Sequence, residues 1–228
     1  MEGSAEGLRK ERLEAMRSAV ILAGGSSSRL GTDKSLLEFD EKPLICWAAE
    51  KMLLAADEVI VVARSKDHAE MLQEMVQKAV FTWDSVFGFG PVAGLHAGMR
   101  CAKGGLVFAT GCDLPFLNPK VIDMLFELAY EKKGYDATVP LRPSGFIEPL
   151  HSVYDREKMF AACQSSLNAN ERKIRAPLKL LHINYVPVER LQILDDGLLT
   201  FFNLNTPQDL EKARKLWPKG HCTNIQNI

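Results

Sequence analysis

Apolar residues along this chain fall into short unbroken runs that end at glycine or an acid, and these alternate with longer mixed segments. Uninterrupted runs of four to six apolar residues are the pattern of strands buried on both faces. Residues 18–23 (SAVILA), 59–63 (VIVVA) and 106–110 (LVFAT) read this way, and 79–81 (AVF) reads as a further, short strand. Beside them, 43–56, 67–78 and 120–132 have the length and composition of helices, and 88–102 starts as a glycine-rich loop and continues as a helix. Pro43 is placed for a first turn, and Asn118-Pro119 for a cap and first turn. Strand, loop and helix thus recur about four times in the first 130 residues, which predicts an α/β protein with a parallel sheet. The remainder is less regular: 137–141, 147–154 and 183–188 read as strands, 156–166 and 207–217 as helices. Without a linker rich in Gly, Ser or Pro, a single domain over 18–217 is expected. A charged extension (1–17) and a polar tail (218–228) flank it.

Composition narrows the function classes. Lys and Arg total 28 against 29 Asp and Glu, so no basic excess points to nucleic acid or a membrane surface. Phosphate binding has to come from a local site instead. The five cysteines (46, 101, 112, 163, 222) are scattered, odd in number and form no C-x-x-C pair, which excludes a disulfide framework and a zinc site. No apolar run approaches the ~18 residues that span a bilayer, and the charged first residues lack the apolar stretch of a secretory signal. A soluble, cytoplasmic protein is expected.

The candidate chemistry lies at the end of the first run, in Leu22-Ala-Gly-Gly-Ser-Ser-Ser-Arg-Leu-Gly-Thr-Asp-Lys34. Open α/β sheets place their ligand crevice at the carboxyl ends of strands. Glycines 24, 25 and 31 let the backbone approach a ligand, and successive N–H groups in such a turn cradle anions. Ser26 and Ser28 add hydroxyls; Arg29 and Lys34 add cations suited to phosphate. Neither a P-loop nor a dinucleotide fingerprint fits: Thr32-Asp33 separates Gly31 from Lys34, and Gly24 and Gly25 are adjacent. Asp113, in Cys112-Asp-Leu-Pro-Phe116, follows a predicted strand into the same crevice, where a carboxylate suits Mg²⁺.

The segment 22–34 resembles the signature of the molybdenum cofactor guanylyltransferases, L-A-G-G-x-S-x-R-[M/L]-G-x-D-K, at every fixed position. Cofactor cytidylyltransferases and sugar-1-phosphate nucleotidyltransferases usually have L-A-A-G and lack the Asp before the Lys, so Gly24 and Asp33 favour the guanylyl branch. Further matches are C-D-x-P-[F/Y] at 112–116, G-P-x-A-G at 90–94, E-P-L-x-[A/S]-x-Y at 148–154 and N-x-N-T-P-x-D at 203–209. The resemblance covers 18–217. It implies a three-layer, Rossmann-like MobA-like nucleotidyltransferase domain with a mostly parallel, mixed sheet. It further implies GMP transfer from GTP to the terminal phosphate of molybdopterin, with Mg²⁺ as cofactor and without a protein nucleophile. Transient contact with other proteins of cofactor biosynthesis would follow.

In that reading Leu22, Ala23, Gly24, Gly25, Ser26, Lys34, Asp84 and Asp113 bind nucleotide, and Lys34 and Arg29 act on the transferring phosphate. Asp113 holds the metal. Asn205 either joins it or, with Thr206, caps the helix after Pro207. Arg172, Lys173, Arg175 and Asn203 would face the acceptor, although 171–175 has equally the look of a solvated charge run. Arg64 departs from the pattern, standing near a usual asparagine contact to the base. The five histidines show no ligand spacing and are expected to be structural or at the surface. Other readings are a transferase for another triphosphate or phosphorylated acceptor, and a non-catalytic nucleotide-binding protein. A nicotinamide dehydrogenase suits the fold class but lacks its fingerprint.

Overall fold

The computed structural model describes residues 16–24, 33–83 and 90–217. The expected extension, apart from residues 16 and 17, and the tail from 218 lie outside them. In chain order the elements are β1 (Arg17–Leu22), a short hairpin of β2 (Glu38–Phe39) and β3 (Lys42–Pro43), and α1 (Leu44–Leu53). Then come β4 (Glu58–Ala63), α2 (Lys66–Met75), β5 (Val80–Trp83), α3 (Gly90–Cys101), β6 (Leu106–Gly111) and α4 (Pro119–Glu131). The second half holds β7 (Ala137–Leu141), β8 (His151–Asp155), α5 (Arg156–Asn168), α6 (Arg175–Leu178), β9 (Ile183–Pro187) and α7 (Pro207–Leu216).

Seven strands form one sheet in the order β5-β4-β1-β6-β8-β7-β9. The expected parallel alternation is present: β1 pairs in parallel with β4 and β6, and β4 with β5. The sheet is mixed because β8 runs antiparallel to both β6 and β7, while β7 and β9 are parallel. β6, β7 and β9 therefore all point the same way as β1, and their carboxyl ends share one edge.

Alternation along β1 builds three layers. Ala19 and Ile21 join a core with α1, α2 and α4 on one face; Val20 joins a second core with α3 and α5 on the other. Side chains pointing alternately to two covered faces are why the strand reads as a continuous apolar run. Cys112 and Cys163 are buried in these cores, and Cys46 and Cys101 are half-buried.

Several expectations shift at their edges. β8 starts at His151 rather than 147, because Pro149 has no N–H to give a ladder. Ile147 makes one bridge to Leu141, and Glu148 and Pro149 turn the chain, their carbonyls accepting from Ser152 Oγ and Tyr154 Oη. α2 ends at Met75, where Val76 turns to an extended conformation (φ −125°). Pro43 caps α1 instead of lying in its first turn. The Asn118-Pro119 expectation holds: Asn118 Oδ1 accepts from Lys120 N, with Pro119 opening α4. Such a cap contributes about 1 kcal/mol.

Candidate active site

The crevice lies at the carboxyl edge of β1, β4 and β6. Leu22 ends β1, and Ala23 continues it by donating its N–H to Val62 O at 2.9 Å. Gly24 follows, exposed. A Cβ there would be 3.4 Å from Arg64 Cα, so the backbone at Gly24 passes directly against the end of β4. Gly25, Ser26, Arg29 and Asp84 lie outside the described residues.

The chain returns at Asp33, which caps a 3₁₀ turn, Lys34–Leu36. From that turn Lys34 Nζ reaches Asp113 Oδ2 at 2.7 Å and Asn205 Oδ1 at 2.6 Å. Lys34 and Asp113 are largely shielded, with 15% and 20% of their side chains exposed, which strengthens the pairing over that of a surface ion pair. Asp113 stands two residues past β6, and a Cβ at Gly111 would come within 2.7 Å of its Oδ1, so that glycine leaves the carboxylate its room.

Asn205 is brought in from the far end of the sequence. Leu204 N donates to Asp113 O at 2.9 Å, stitching the segment before α7 to the loop after β6. Thr206, not Asn205, caps α7, in a reciprocal capping box with Asp209. Of the two roles open to Asn205 in the sequence, helix capping is thus taken by its neighbour. An aromatic cluster fixes this end of the chain: the Trp217 ring lies 4.8 Å from Phe39 and 5.0 Å from Trp47, and its Nε1 donates to Asp40 Oδ2 at 2.7 Å. The hairpin that follows Lys34 and the helix that follows Asn205 are thereby held to one another.

A second layer surrounds Asp33. Its Oδ1 accepts from Ser35 N and Oγ, at 3.0 and 2.6 Å. Its Oδ2 lies 2.5 Å from Arg64 Nη1 and 2.9 Å from His68 Nε2. Burial pushes the Asp33 carboxyl up, but the hydrogen bonds from His68 and Ser35 more than reverse this, leaving it well below the ordinary value. Sequence reasoning missed this layer. Arg64 reads there as a lost contact, and His68 stands alone; the missing signal is their i, i+4 spacing at a strand end facing the D-K pair.

Among the described residues, the remaining candidates are not in contact with the Lys34 cluster in any hydrogen bond or ion pair the structure shows. Arg172, Lys173 and Arg175 are exposed, and a Cβ at Gly90 would be 3.9 Å from Arg172 O. The basic segment therefore borders the start of α3. A cavity of about 280 Å³ beside it is lined by Gly145, Ile147, Arg175, Leu178, Lys179 and Tyr185. Asn203 is exposed, its Nδ2 donating to Phe201 O at 3.3 Å. Among the described residues no three His, Cys, Asp or Glu side chains gather as a metal site, and no helix is long and apolar enough to cross a membrane.

A mixed sheet covered by helices on both faces, whose first strand runs out at Gly24, with lysine and aspartate meeting at its carboxyl edge, is the frame of a nucleotidyltransferase, and the comparisons place the protein in that class. A model of the MobA-like NTP transferase domain matches residues 19–184, and the chain belongs to that family. It is 34% identical over 209 residues to a probable molybdenum cofactor guanylyltransferase of Methanosarcina mazei, covering 89% of this chain and 92% of that one. A protein of the same name from Natronomonas pharaonis is 36% identical, covering 87% and 97%. Among solved structures, molybdopterin-guanine dinucleotide biosynthesis protein A from Archaeoglobus fulgidus superposes with a TM-score of 0.78 at 34% identity, covering 87% and 97%.

Proposed function

We propose that this protein transfers GMP from GTP to the terminal phosphate of molybdopterin, releasing pyrophosphate, a reading supported by relatives named for guanylyl transfer to molybdenum cofactor and for molybdopterin-guanine dinucleotide biosynthesis. The observation that carries the reading is the Lys34 ammonium held between Asp113 and Asn205 at the crevice. In the transfer, an acceptor phosphate oxygen forms a bond to the GTP α-phosphorus, and the bond from that phosphorus to the bridging oxygen of pyrophosphate breaks. The acceptor is already ionised, so no general base is needed. Positioning and charge stabilisation carry the catalysis.

The roles divide by position. Leu22, Ala23 and Gly24, with Gly25, Ser26 and Asp84 beyond the described residues, bind the nucleotide. Lys34 and Arg29 neutralise charge on the transferring phosphate. Two oxygens, Asp113 Oδ2 and Asn205 Oδ1, already converge on one cation, the Lys34 ammonium, and hard oxygen donors of this kind suit a divalent ion that takes its other ligands from water and phosphate. Asp113 and Asn205 would therefore hold Mg²⁺, which supplies Lewis-acid stabilisation of phosphate oxygens when bound. Arg172, Lys173, Arg175 and Asn203 receive the acceptor. The neighbouring cavity sets Arg175 and Lys179 beside Tyr185, chemistry that fits a phosphorylated heterocycle. The same reading takes 18–217 as one domain, since one sheet runs through both halves.

Magnesium-dependent pyrophosphate release, measured with GTP, CTP and UTP against molybdopterin, tests this. Release with GTP and appearance of the guanine dinucleotide are expected. Turnover with CTP alone, or none with any of the three, overturns the assignment.

A further inference from the structure

Asp33 is held more firmly than the cap of a three-residue turn requires. Four donors converge on its carboxylate from three elements: Ser35 N and Oγ from the turn, Arg64 Nη1 from the end of β4, and His68 Nε2 from the first turn of α2. The His68 ring is buried, and Arg64 N donates to its Nδ1 at 3.3 Å. Nδ1 is thus an acceptor and the ring proton sits on Nε2, directed at Asp33, with Ser35 Oγ 3.2 Å away. A buried carboxylate with this many partners is costly to displace, because each displaced donor would be left unpaired.

Two consequences meet at Lys34. It is the next residue after Asp33, so anchoring the Asp33 side chain fixes the backbone from which the long lysine side chain starts. Arg64 also backs Gly24, whose Cβ position lies 3.4 Å from Arg64 Cα. One residue therefore touches both ends of the opening loop, at Gly24 and at Asp33. This gives a use to the arginine that stands where the resemblance expects an asparagine.

We propose that Arg64 and His68 are positioning residues for Lys34, acting through Asp33 to fix the backbone from which its side chain reaches Asp113 and Asn205 in the metal-free protein and the transferring phosphate during the reaction. The proposal rests on the transfer reading above for the step that Lys34 serves. The lysine side chain has four rotatable bonds and loses its reach if its start shifts, and a displacement near 1 Å at a reacting centre costs up to ~10²-fold in rate.

The test compares Arg64→Ala, His68→Ala and His68→Gln, alone and in a Lys34→Ala background, with a thermal melt on each protein. Gln can present an amide N–H to Asp33 in place of Nε2–H. Expected for Arg64→Ala and His68→Ala is a fall in kcat of roughly 10- to 100-fold with little change in KM for GTP. His68→Gln should recover most of the loss. In the Lys34→Ala background neither further change should lower kcat, since the lysine through which they act is gone. Losses that multiply in that background, or full kcat in a folded Arg64→Ala protein, overturn the proposal. Lysine labelled with ¹³C at Cε gives a readout independent of turnover. The Lys34 signal, assigned by its absence in Lys34→Ala, should move to the shift of solvated lysines in Arg64→Ala, and an unmoved signal overturns the proposal. Wild-type protein that transfers no GMP would sink the functional reading alone, because the labelled lysine still decides this one.

Discussion

Lys34 Nζ and Asp113 Oδ2 lie 2.7 Å apart although 79 positions separate the two residues. Asn205 Oδ1 takes the same ammonium at 2.6 Å from 171 positions away. Three loops, after β1, after β6 and before α7, therefore meet on a single positive charge. In the proposed transfer, Lys34 neutralises negative charge that shifts from the α-phosphate to pyrophosphate. Lys34→Ala should lower kcat by ~10²- to 10³-fold, the scale for losing one preorganised donor to a transition state. KM for GTP should change far less. Steady-state assays across GTP concentration check this, and a loss confined to KM would make Lys34 a binding residue only.

The same geometry sets a rule for metal binding. A lysine ammonium and a divalent cation cannot share the space between Asp113 and Asn205, so a metal entering without nucleotide has to displace Lys34 from two short contacts. Mn²⁺ titration followed by electron paramagnetic resonance should show weak binding to the free wild-type protein. Lys34→Met should tighten it by at least ~10-fold, about 1.4 kcal/mol, and Asp113→Asn should abolish the gain. Equal Mn²⁺ affinity in wild type and Lys34→Met would mean that the lysine does not compete for the site.

Much of this frame is legible in the sequence, for a physical reason. Strands covered on both faces leave continuous apolar runs, so β1, β4 and β6 stand out. The loop after β1 carries its chemistry in adjacent letters. Asn205 is less legible because its partner is 171 positions away, and a residue before a helix cap resembles the cap itself. Arg64 and His68 are illegible for a related reason: their meaning depends on Asp33, which reaches them only when β4 pairs with β1 in parallel register. The start of β8 is misplaced because 147–150 is apolar enough for a strand, while Pro149 denies it the ladder.

Stability should depend on pH through His151. Its ring is buried against Phe108 and Phe201, with Nε2 3.2 Å from Thr200 Oγ1 and Nδ1 without a partner among the described residues. Burial, aided by the Arg142 charge, lowers its pKa from 6.5 to about 3. The folded protein thus binds fewer protons than the unfolded chain between these values. This contribution is complete above pH 6.5 and is lost as pH falls toward 3, with a slope of about 1.4 kcal/mol per pH unit. Denaturant unfolding at pH 7 and pH 5 should show about 2 kcal/mol of loss from this residue. His151→Leu should flatten that part of the profile; an unchanged profile would assign the acid sensitivity to other groups.

Two backbone positions should respond to substitution in opposite directions. A Cβ at Gly98, in the middle of α3, would lie 2.5 Å from Val20 Cγ1 and 3.2 Å from Val62 Cγ2. Both neighbours are β-branched and stiff at χ1, and both sit in central strands, so the helix itself has to lift. Gly98→Ala gains about 1 kcal/mol of helix propensity but costs about 1–3 kcal/mol in overpacking, and should destabilise on balance. Glu41 is the reverse case. With Asp40 it forms the two-residue turn between β2 and β3, at φ 61° and 49°, a left-handed pair that favours glycine. Asp40 is retained by its bond from Trp217 Nε1, whereas the Glu41 side chain is exposed. Glu41→Gly should therefore stabilise by up to about 1 kcal/mol, since the strain it relieves exceeds the flexibility it adds to the unfolded chain. Chemical denaturation of the two variants beside wild type decides both signs. A stabilised Gly98→Ala protein would show that α3 has room above β1, and with it that the close approach of helix to strand beside Val20 is not fixed by glycine.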